Sequence, residues 1–255
     1  MAWYKNAFTA DYMDRYAHRS ADEARQAVES LLAATDLRPG DDVMDLCCGA
    51  GRHSYALWKS RLRVTGFDLS QDLLASARES LRCQGENCPR LIRGDMRVLP
   101  FAPGSFAAVA HFFTAFGYFE RDSENYLVFE EVARVLRPGG WYLLDFLNAH
   151  GVEASFGARL IQESETTLED GTRIRSEKRL TDPPGRRVEK REWITTADGS
   201  PGREIHESVR LFRPDDLRPA LTVRGLAVVE EWGGYGREPW TEESGRFIAL
   251  CRRKS

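Results

Sequence analysis

A chain of 255 residues, 42% hydrophobic and 29% charged, is long enough to bury a sizeable core, as one elaborated domain or a domain with a subdomain. Its net charge of -3 and the lack of any basic cluster argue against a nucleic-acid footprint. No basic region followed by an apolar run opens the sequence, and no apolar stretch approaches membrane-spanning length. The five cysteines, Cys47, Cys48, Cys83, Cys88 and Cys251, are odd in number and two are adjacent. They make a poor disulfide framework without zinc-site spacing, which points to a reducing, cytoplasmic setting.

Residues 1–40 read as a helical cap. Ser20 can cap a helix with Glu23 as its capping-box partner, and Ala24, Ala27, Val28, Leu31 and Leu32 supply an apolar stripe that ends before Pro39-Gly40. From 43 to 150, short apolar runs alternate with longer amphipathic ones. Strands are expected at 43–47, 63–67, 90–93, 107–112 and 141–146, and helices at 52–60, 71–83 and 122–137, the last ending at Arg137-Pro138-Gly139-Gly140. This alternation predicts an α/β fold with a doubly wound parallel sheet whose strand ends share one ligand-binding rim.

Near residue 155 the texture changes. Segments 159–169, 172–181, 187–197 and 203–212 are charged and separated by Asp170-Gly171, Pro183-Pro184-Gly185 and Asp198-Gly199. They read as an antiparallel meander inserted after the fifth strand, with at most one buried face. Core texture resumes with a helix from Pro214 to about 222 and strands at 226–232 and 246–252, joined through Gly233-Gly234-Tyr235-Gly236. The expected organisation is a cap over 1–40, a core over 41–154 and 213–255, and a lid over 155–212.

The chemistry concentrates at successive strand ends. Val43-Met44-Asp45-Leu46-Cys47-Cys48-Gly49-Ala50-Gly51 runs an apolar strand into a glycine turn and then a helix. Gly49 and Gly51 admit close approach of backbone to a ligand, and the helix N-terminus favours an anionic group such as a methionine carboxylate. Asp45 could hold an amino group, Asp68 could accept from both ribose hydroxyls, and Asp95 could accept from an adenine amino group with Met96 packed on the ring. Each has a bland reading, a plain turn or a helix cap such as Asp68 before Leu69-Ser70. Three on one rim make an adenosine-containing ligand the better account, and the order of residues favours S-adenosyl-L-methionine over a dinucleotide.

These stretches, with Gly66-Phe67-Asp68-Leu69-Ser70, Gly94-Asp95-Met96 and Leu136-Arg137-Pro138-Gly139-Gly140, resemble class I S-adenosylmethionine-dependent methyltransferases. The resemblance covers 41–148 well and the final strands acceptably. It implies a Rossmann-like seven-stranded, mostly parallel sheet with the last strand antiparallel. The insertion resembles the antiparallel β lid of small-molecule methyltransferases of the glycine N-methyltransferase-like group. Two departures are Cys47, where glycine commonly stands, and Ala107, where the fourth strand often begins with Asp. The resemblance makes Asp45, Cys47, Gly49, Gly51, Asp68, Leu69, Asp95 and Met96 cofactor contacts, and lets Phe112 and Phe113 line the sulfonium region. Phe8-Thr9-Ala10-Asp11-Tyr12 looks like the cap over the cofactor, with Tyr12 against its methionine portion. Arg19, with Tyr16 nearby, resembles the arginine that pairs with the cofactor carboxylate; an exposed helix-flanking charge is the alternative.

No catalytic residue is legible. His111, Tyr118, His206 and Tyr235 are candidates to touch the acceptor, although His111 also reads as a buried structural histidine and Tyr118 as a packing residue. His53 is expected near the cofactor carboxylate. The Asn-Pro-Pro-aromatic signature of base-amine enzymes is absent, and no acidic cluster suggests a metal-dependent reaction. The expected activity is methyl transfer to nitrogen or oxygen of a small molecule, by a monomer or homodimer that needs no nucleic acid, membrane or metal. Methylation of protein or RNA, or a non-catalytic cofactor-binding module, are the alternatives. An NAD-dependent dehydrogenase fits less well, because Ser54 stands where a third glycine would fall and Asp45 precedes the turn.

Overall fold

The computed structural model describes residues 2–9, 12, 20–81, 88–157, 159–183 and 185–254. After a short 3-10 turn at Trp3–Lys5, the chain runs α1 (Ala21–Ala34), β1 (Asp42–Leu46), α2 (Arg52–Lys59), β2 (Arg63–Asp68), α3 (Gln71–Leu81) and β3 (Arg90–Arg93). It continues through β4 (Phe106–His111), α4 (Asp122–Val135), β5 (Leu136–Leu147) and α5 (Ala149–Phe156). Then come β6 (Ile161–Thr167), β7 (Arg173–Leu180), β8 (Arg187–Thr195), β9 (Pro201–Arg210), α6 (Pro214–Thr222), β10 (Leu226–Trp232) and β11 (Arg246–Arg253).

The larger sheet has the order β10-β11-β5-β4-β1-β2-β3. Its pairs are parallel except those of β11, which is antiparallel to both β5 and β10. This is the seven-stranded, doubly wound arrangement expected. Both faces of its centre are covered, so β4 is buried along its whole length. Period-two alternation sorts β11: Phe247, Ala249 and Cys251 join Phe129 and Leu217 in one core layer, while Ile248 and Leu250 join Val28, Leu31 and Leu57 in the other. The chain steps outward from β1 to β2 and β3, then returns to place β4 on the other side of β1. That reversal opens a crevice at the carboxyl ends of β1 and β4.

The second sheet is an antiparallel meander, β6-β7-β8-β9. Ile174, Leu180 and Ile205 are buried, whereas β6 stays largely exposed. Leu180 packs with Ala149, Phe156 and Leu211, which seats this end of the meander on α5.

Four local expectations change. The Ser20 hydroxyl does accept from the Glu23 amide at 3.0 Å, but the Glu23 carboxylate turns to Arg52 at 2.6 Å instead of closing a capping box. The fifth strand begins at Leu136, ahead of Pro138, because Leu136 pairs with Phe106 across a register shift. Helix α5 was not foreseen, since Gly151 sits inside a short segment with little amphipathic pattern. Cys88 is disulfide-bonded while Cys47, Cys48 and Cys251 are free; the odd count and the adjacent pair concealed that bond. Among the described residues no helix is long and apolar enough to cross a membrane.

Candidate active site

The crevice holds a cavity of about 900 Å³. Its floor is the turn after β1. Cys47 adopts φ +60°, and Gly49 and Gly51 adopt φ +55° and +83°, all left-handed. Gly51 caps α2 in that conformation, and Gly51, Arg52 and His53 bring the start of that helix to the cavity wall. Cys47 thus adopts a left-handed angle at a position where glycine commonly stands. Its sulfur lies 3.5 Å from that of Met96, and burial with the carboxylates of Asp68, Asp45 and Asp95 pushes its thiol well up. The neutral thiol is thereby favoured on the cavity wall.

Asp68, at the end of β2, faces the cavity. Its carboxylate accepts from the Gly49 and Ser70 amides, each at 2.8 Å. Burial raises its pKa, opposed by those backbone bonds. One carboxylate thus fixes the glycine turn and still presents lone pairs to the cavity. Leu69 lies beside it on the wall.

Asp95, past β3, also lines the cavity with the buried Met96. Burial alone would raise the Asp95 carboxyl, but Arg97 outweighs it: its amide and guanidinium reach Asp95 at 2.9 and 2.6 Å and hold the carboxyl below the usual range. Arg97 also bonds Glu124 at 2.8 Å and lies 4.2 Å over the Phe119 ring. The sequence reading missed Arg97, although a cation two residues beyond a strand-end carboxylate is a usable signal.

Asp45 is placed differently. It is 1% exposed, does not line the cavity, and accepts from the Ser54 hydroxyl at 2.6 Å. Burial pushes its carboxyl up to about 7. It braces the glycine turn from behind.

Phe112 lies on the opposite wall, stacked on His53 with ring centroids 4.2 Å apart. Phe113 (φ +58°) and Thr114 (φ +53°) then turn the chain through two consecutive left-handed residues. The Phe113 ring sits between two guanidiniums, Arg52 at 4.8 Å and Arg246 at 4.6 Å. Beyond the turn, Tyr118 and Phe119 close the wall with Tyr4, Phe8 and Tyr12. Tyr118 stacks on Phe8 at 5.7 Å and donates its hydroxyl proton to the Thr114 carbonyl at 2.9 Å.

Three acceptor candidates lie off the cavity. His111 is fully buried, pairs with the Tyr142 hydroxyl at 3.1 Å, and burial pushes it down to about 4. His206 sits on β9 and does not reach the cavity wall. Tyr235 donates to the buried Asp145. Tyr12 does line the cavity, whereas Arg19 and Tyr16 lie outside the described residues.

Residues 43–140 match the methyltransferase domain family. This segment of the chain is a methyltransferase domain. The matched segment spans β1 to the start of β5, including the glycine turn, Asp68 and Asp95. The demethylmenaquinone methyltransferase of Lactococcus lactis is 35% identical over 116 residues, 42% of this chain and 44% of that protein. That of Staphylococcus aureus strain MRSA252 is 38% identical over 108 residues, 41% and 42% of the two chains. The match thus spans less than half the length of these relatives.

Solved structures extend the likeness in fold to nearly the whole chain. The CcbJ methyltransferase from Streptomyces caelestis superimposes with a TM-score of 0.82 at 19% identity, covering 98% of this chain and 99% of that one. CalS10, a SAM-bound amino pentose methyltransferase from Micromonospora echinaspora, gives 0.65 at 24% identity, covering 96% and 95%. The sugar N-methyltransferase KedS8 from Streptoalloteichus gives 0.70 at 19%, covering 96% and 92%.

Proposed function

We propose that the chain transfers the methyl group of S-adenosylmethionine to the amine nitrogen of a small molecule bound against the aromatic wall of the cavity. The observation that carries this reading is a single cavity with two unlike walls. Gly49, Gly51, Asp68 and Asp95 form a polar wall suited to an adenosyl amino acid, and Tyr4, Phe8, Tyr12, Tyr118 and Phe119 form an aromatic one. In this reading Asp68 holds the ribose, Asp95 and Met96 the adenine, and the amides at the start of α2 the carboxylate.

The bound cofactor supplies a methyl carbon already activated by a sulfonium. The chain aligns the nucleophile with that carbon and keeps water out, which can account for much of the acceleration. A neutral amine attacks through its own lone pair, the carbon–sulfur bond breaks, and the products are an ammonium ion and the thioether. A hydroxyl acceptor would need a base. In this reading the cofactor takes up Asp68 and Asp95, and the other carboxylates on the cavity wall, Asp22 and Glu29, pair with Arg25. Aromatic faces also suit a cationic product. The structural neighbours that cover nearly the whole chain include an amino pentose methyltransferase and a sugar N-methyltransferase, which supports an amine. In this reading the second sheet bears on the acceptor only through the 117–119 segment, since none of its described residues lines the cavity.

A second reading, methylation of a quinone-type carbon, draws on the demethylmenaquinone methyltransferases. The match spans less than half of each chain, so it bears less on the acceptor. One screen separates these readings. S-adenosylhomocysteine release is measured with phenethylamine, glucosamine, a simple phenol and demethylmenaquinone. Release with an amine is expected. Release with only the phenol or the quinone overturns the amine assignment, and tight cofactor binding without release from any acceptor favours a binding module.

A further inference from the structure

Arg187 opens β8 in the second sheet, yet its guanidinium reaches into the larger body of the protein. It donates to the carbonyls of Phe119, Gly117 and Tyr118 at 3.1, 3.3 and 3.4 Å. It also donates to the Ser208 hydroxyl and carbonyl, each at 2.7 Å, on neighbouring β9. All of these acceptors are neutral oxygens. A flexible ammonium could not satisfy so many in one plane, whereas the rigid fork of a guanidinium can. Burial, with the nearby Arg210 charge, lowers the pKa of Arg187, so this cation sits where charge is costly.

A second contact joins the same two elements. The Arg210 amide, at the end of β9, donates to the Gly117 carbonyl at 2.7 Å. Gly117 has φ +84°, and a Cβ there would stand 2.7 Å from the Arg210 carbonyl oxygen. Only a residue without a side chain lets β9 come this close. From the other side, the Phe119 ring carries the Arg97 guanidinium that grips Asp95. The segment 117–119 therefore lies between the second sheet and the polar wall, held by backbone on one side and by a ring on the other.

We propose that Arg187 is a positioning residue for the acceptor: by gripping the Gly117–Phe119 backbone it sets Tyr118 and Phe119 as the aromatic wall and ties that wall to the second sheet. This rests on the reading that the aromatic wall receives the acceptor. Arg187 does not line the cavity, and it acts through the two rings. The cofactor wall is built from β1, β2 and β3, and Arg97 is held to Asp95 and Glu124 by its own bonds, so that wall keeps its shape when the grip is lost.

The test compares the full chain with Arg187→Met and Arg187→Lys, using S-adenosylhomocysteine as the bound probe. Hydrogen–deuterium exchange is followed in peptides covering 115–121, where the Phe119 amide reports its bond to Asn125. In Arg187→Met, exchange there is expected to rise at least tenfold while the S-adenosylhomocysteine dissociation constant stays within twofold. Arg187→Lys should restore part of the protection, and it serves alone if the methionine variant does not fold. Unchanged exchange at 115–121, or cofactor affinity falling in step with lost protection, overturns the proposal. These readouts need no acceptor, so they stand apart from the amine assignment. Where phenethylamine turns over, its KM should rise about tenfold in Arg187→Met, with the KM for S-adenosylmethionine unchanged; equal rises in both also overturn it.

Discussion

Asp145 holds Phe113 from the adjacent strand. Its carboxylate accepts from the Phe113 amide at 2.8 Å, and its carbonyl accepts from the Thr114 amide at 3.0 Å. These bonds meet both amides of the left-handed pair that ends β4. The same carboxylate receives Arg246 at 2.6 and 2.9 Å together with the Tyr235 hydroxyl, and it is wholly buried. β11 and the loop before it thus fix the wall where the sequence placed the sulfonium region.

Replacing Asp145 by Ala leaves the largely buried Arg246 without its partner and the Phe113 amide unbonded. Breaking a buried pair from one side costs about 3–5 kcal/mol. At roughly 2–4 °C per kcal/mol for a chain of this size, the melting temperature should fall by about 10 °C. Thermal unfolding checks it; a loss of a degree or two would mean that the pair is solvated.

Asp68→Ala removes the acceptor for the Gly49 and Ser70 amides as well as the proposed ribose contact. Hydrogen bonds to a charged group are worth about 1.5–3 kcal/mol, so S-adenosylhomocysteine should bind roughly ten- to a hundredfold more weakly. Calorimetry measures this directly, and an unchanged affinity would remove Asp68 from the proposed site.

Asp45 should give stability a downward slope with pH. Burial raises its carboxyl to about 7, so the folded chain keeps a proton that the unfolded chain has already released above its ordinary value near 4. Stability from this group falls as pH rises from about 4 to 7 and levels off above. Asp45→Asn stays neutral throughout. Its urea midpoint, taken relative to the unaltered chain, should climb from pH 5 to 7 and then hold. A difference that is flat across this range would show ordinary ionisation.

His111 should act with the opposite sign. Burial depresses it to about 4, so on acidification the unfolded chain takes up a proton near 6.5 that the folded chain refuses. Stability is full above about 6.5 and is lost as pH falls toward 4. His111→Gln should blunt that acid limb while leaving cofactor affinity intact. Urea unfolding between pH 4 and 7 is the measurement, and an acid limb as steep as before would assign the loss to other groups.

Much of the cofactor wall was legible because its parts are local. A strand, a turn that needs left-handed angles and a following helix are consecutive in Val43–Lys59, and Asp68 and Asp95 each end the next strand along. The second sheet was legible from its turns. What failed was orientation and partnership. Asp45 and Asp68 look alike in sequence, but Ser54 takes Asp45 inward while Asp68 turns to the cavity. Tyr235 and His206 carry useful chemistry but sit on elements that do not reach the cavity.

By itself the sequence determined the wound sheet, the glycine turn and three candidate strand-end carboxylates, since apolar period, turn chemistry and strand-end position are properties of neighbouring residues. Only the tertiary structure decided which groups close the site. Arg187 grips the 117–119 backbone, 68 residues from Phe119, and Arg246 reaches Asp145, 101 residues away. Guanidiniums are long and fork-shaped, and they bond whatever oxygens the fold brings within reach, so their partners are set by packing and not by spacing along the chain.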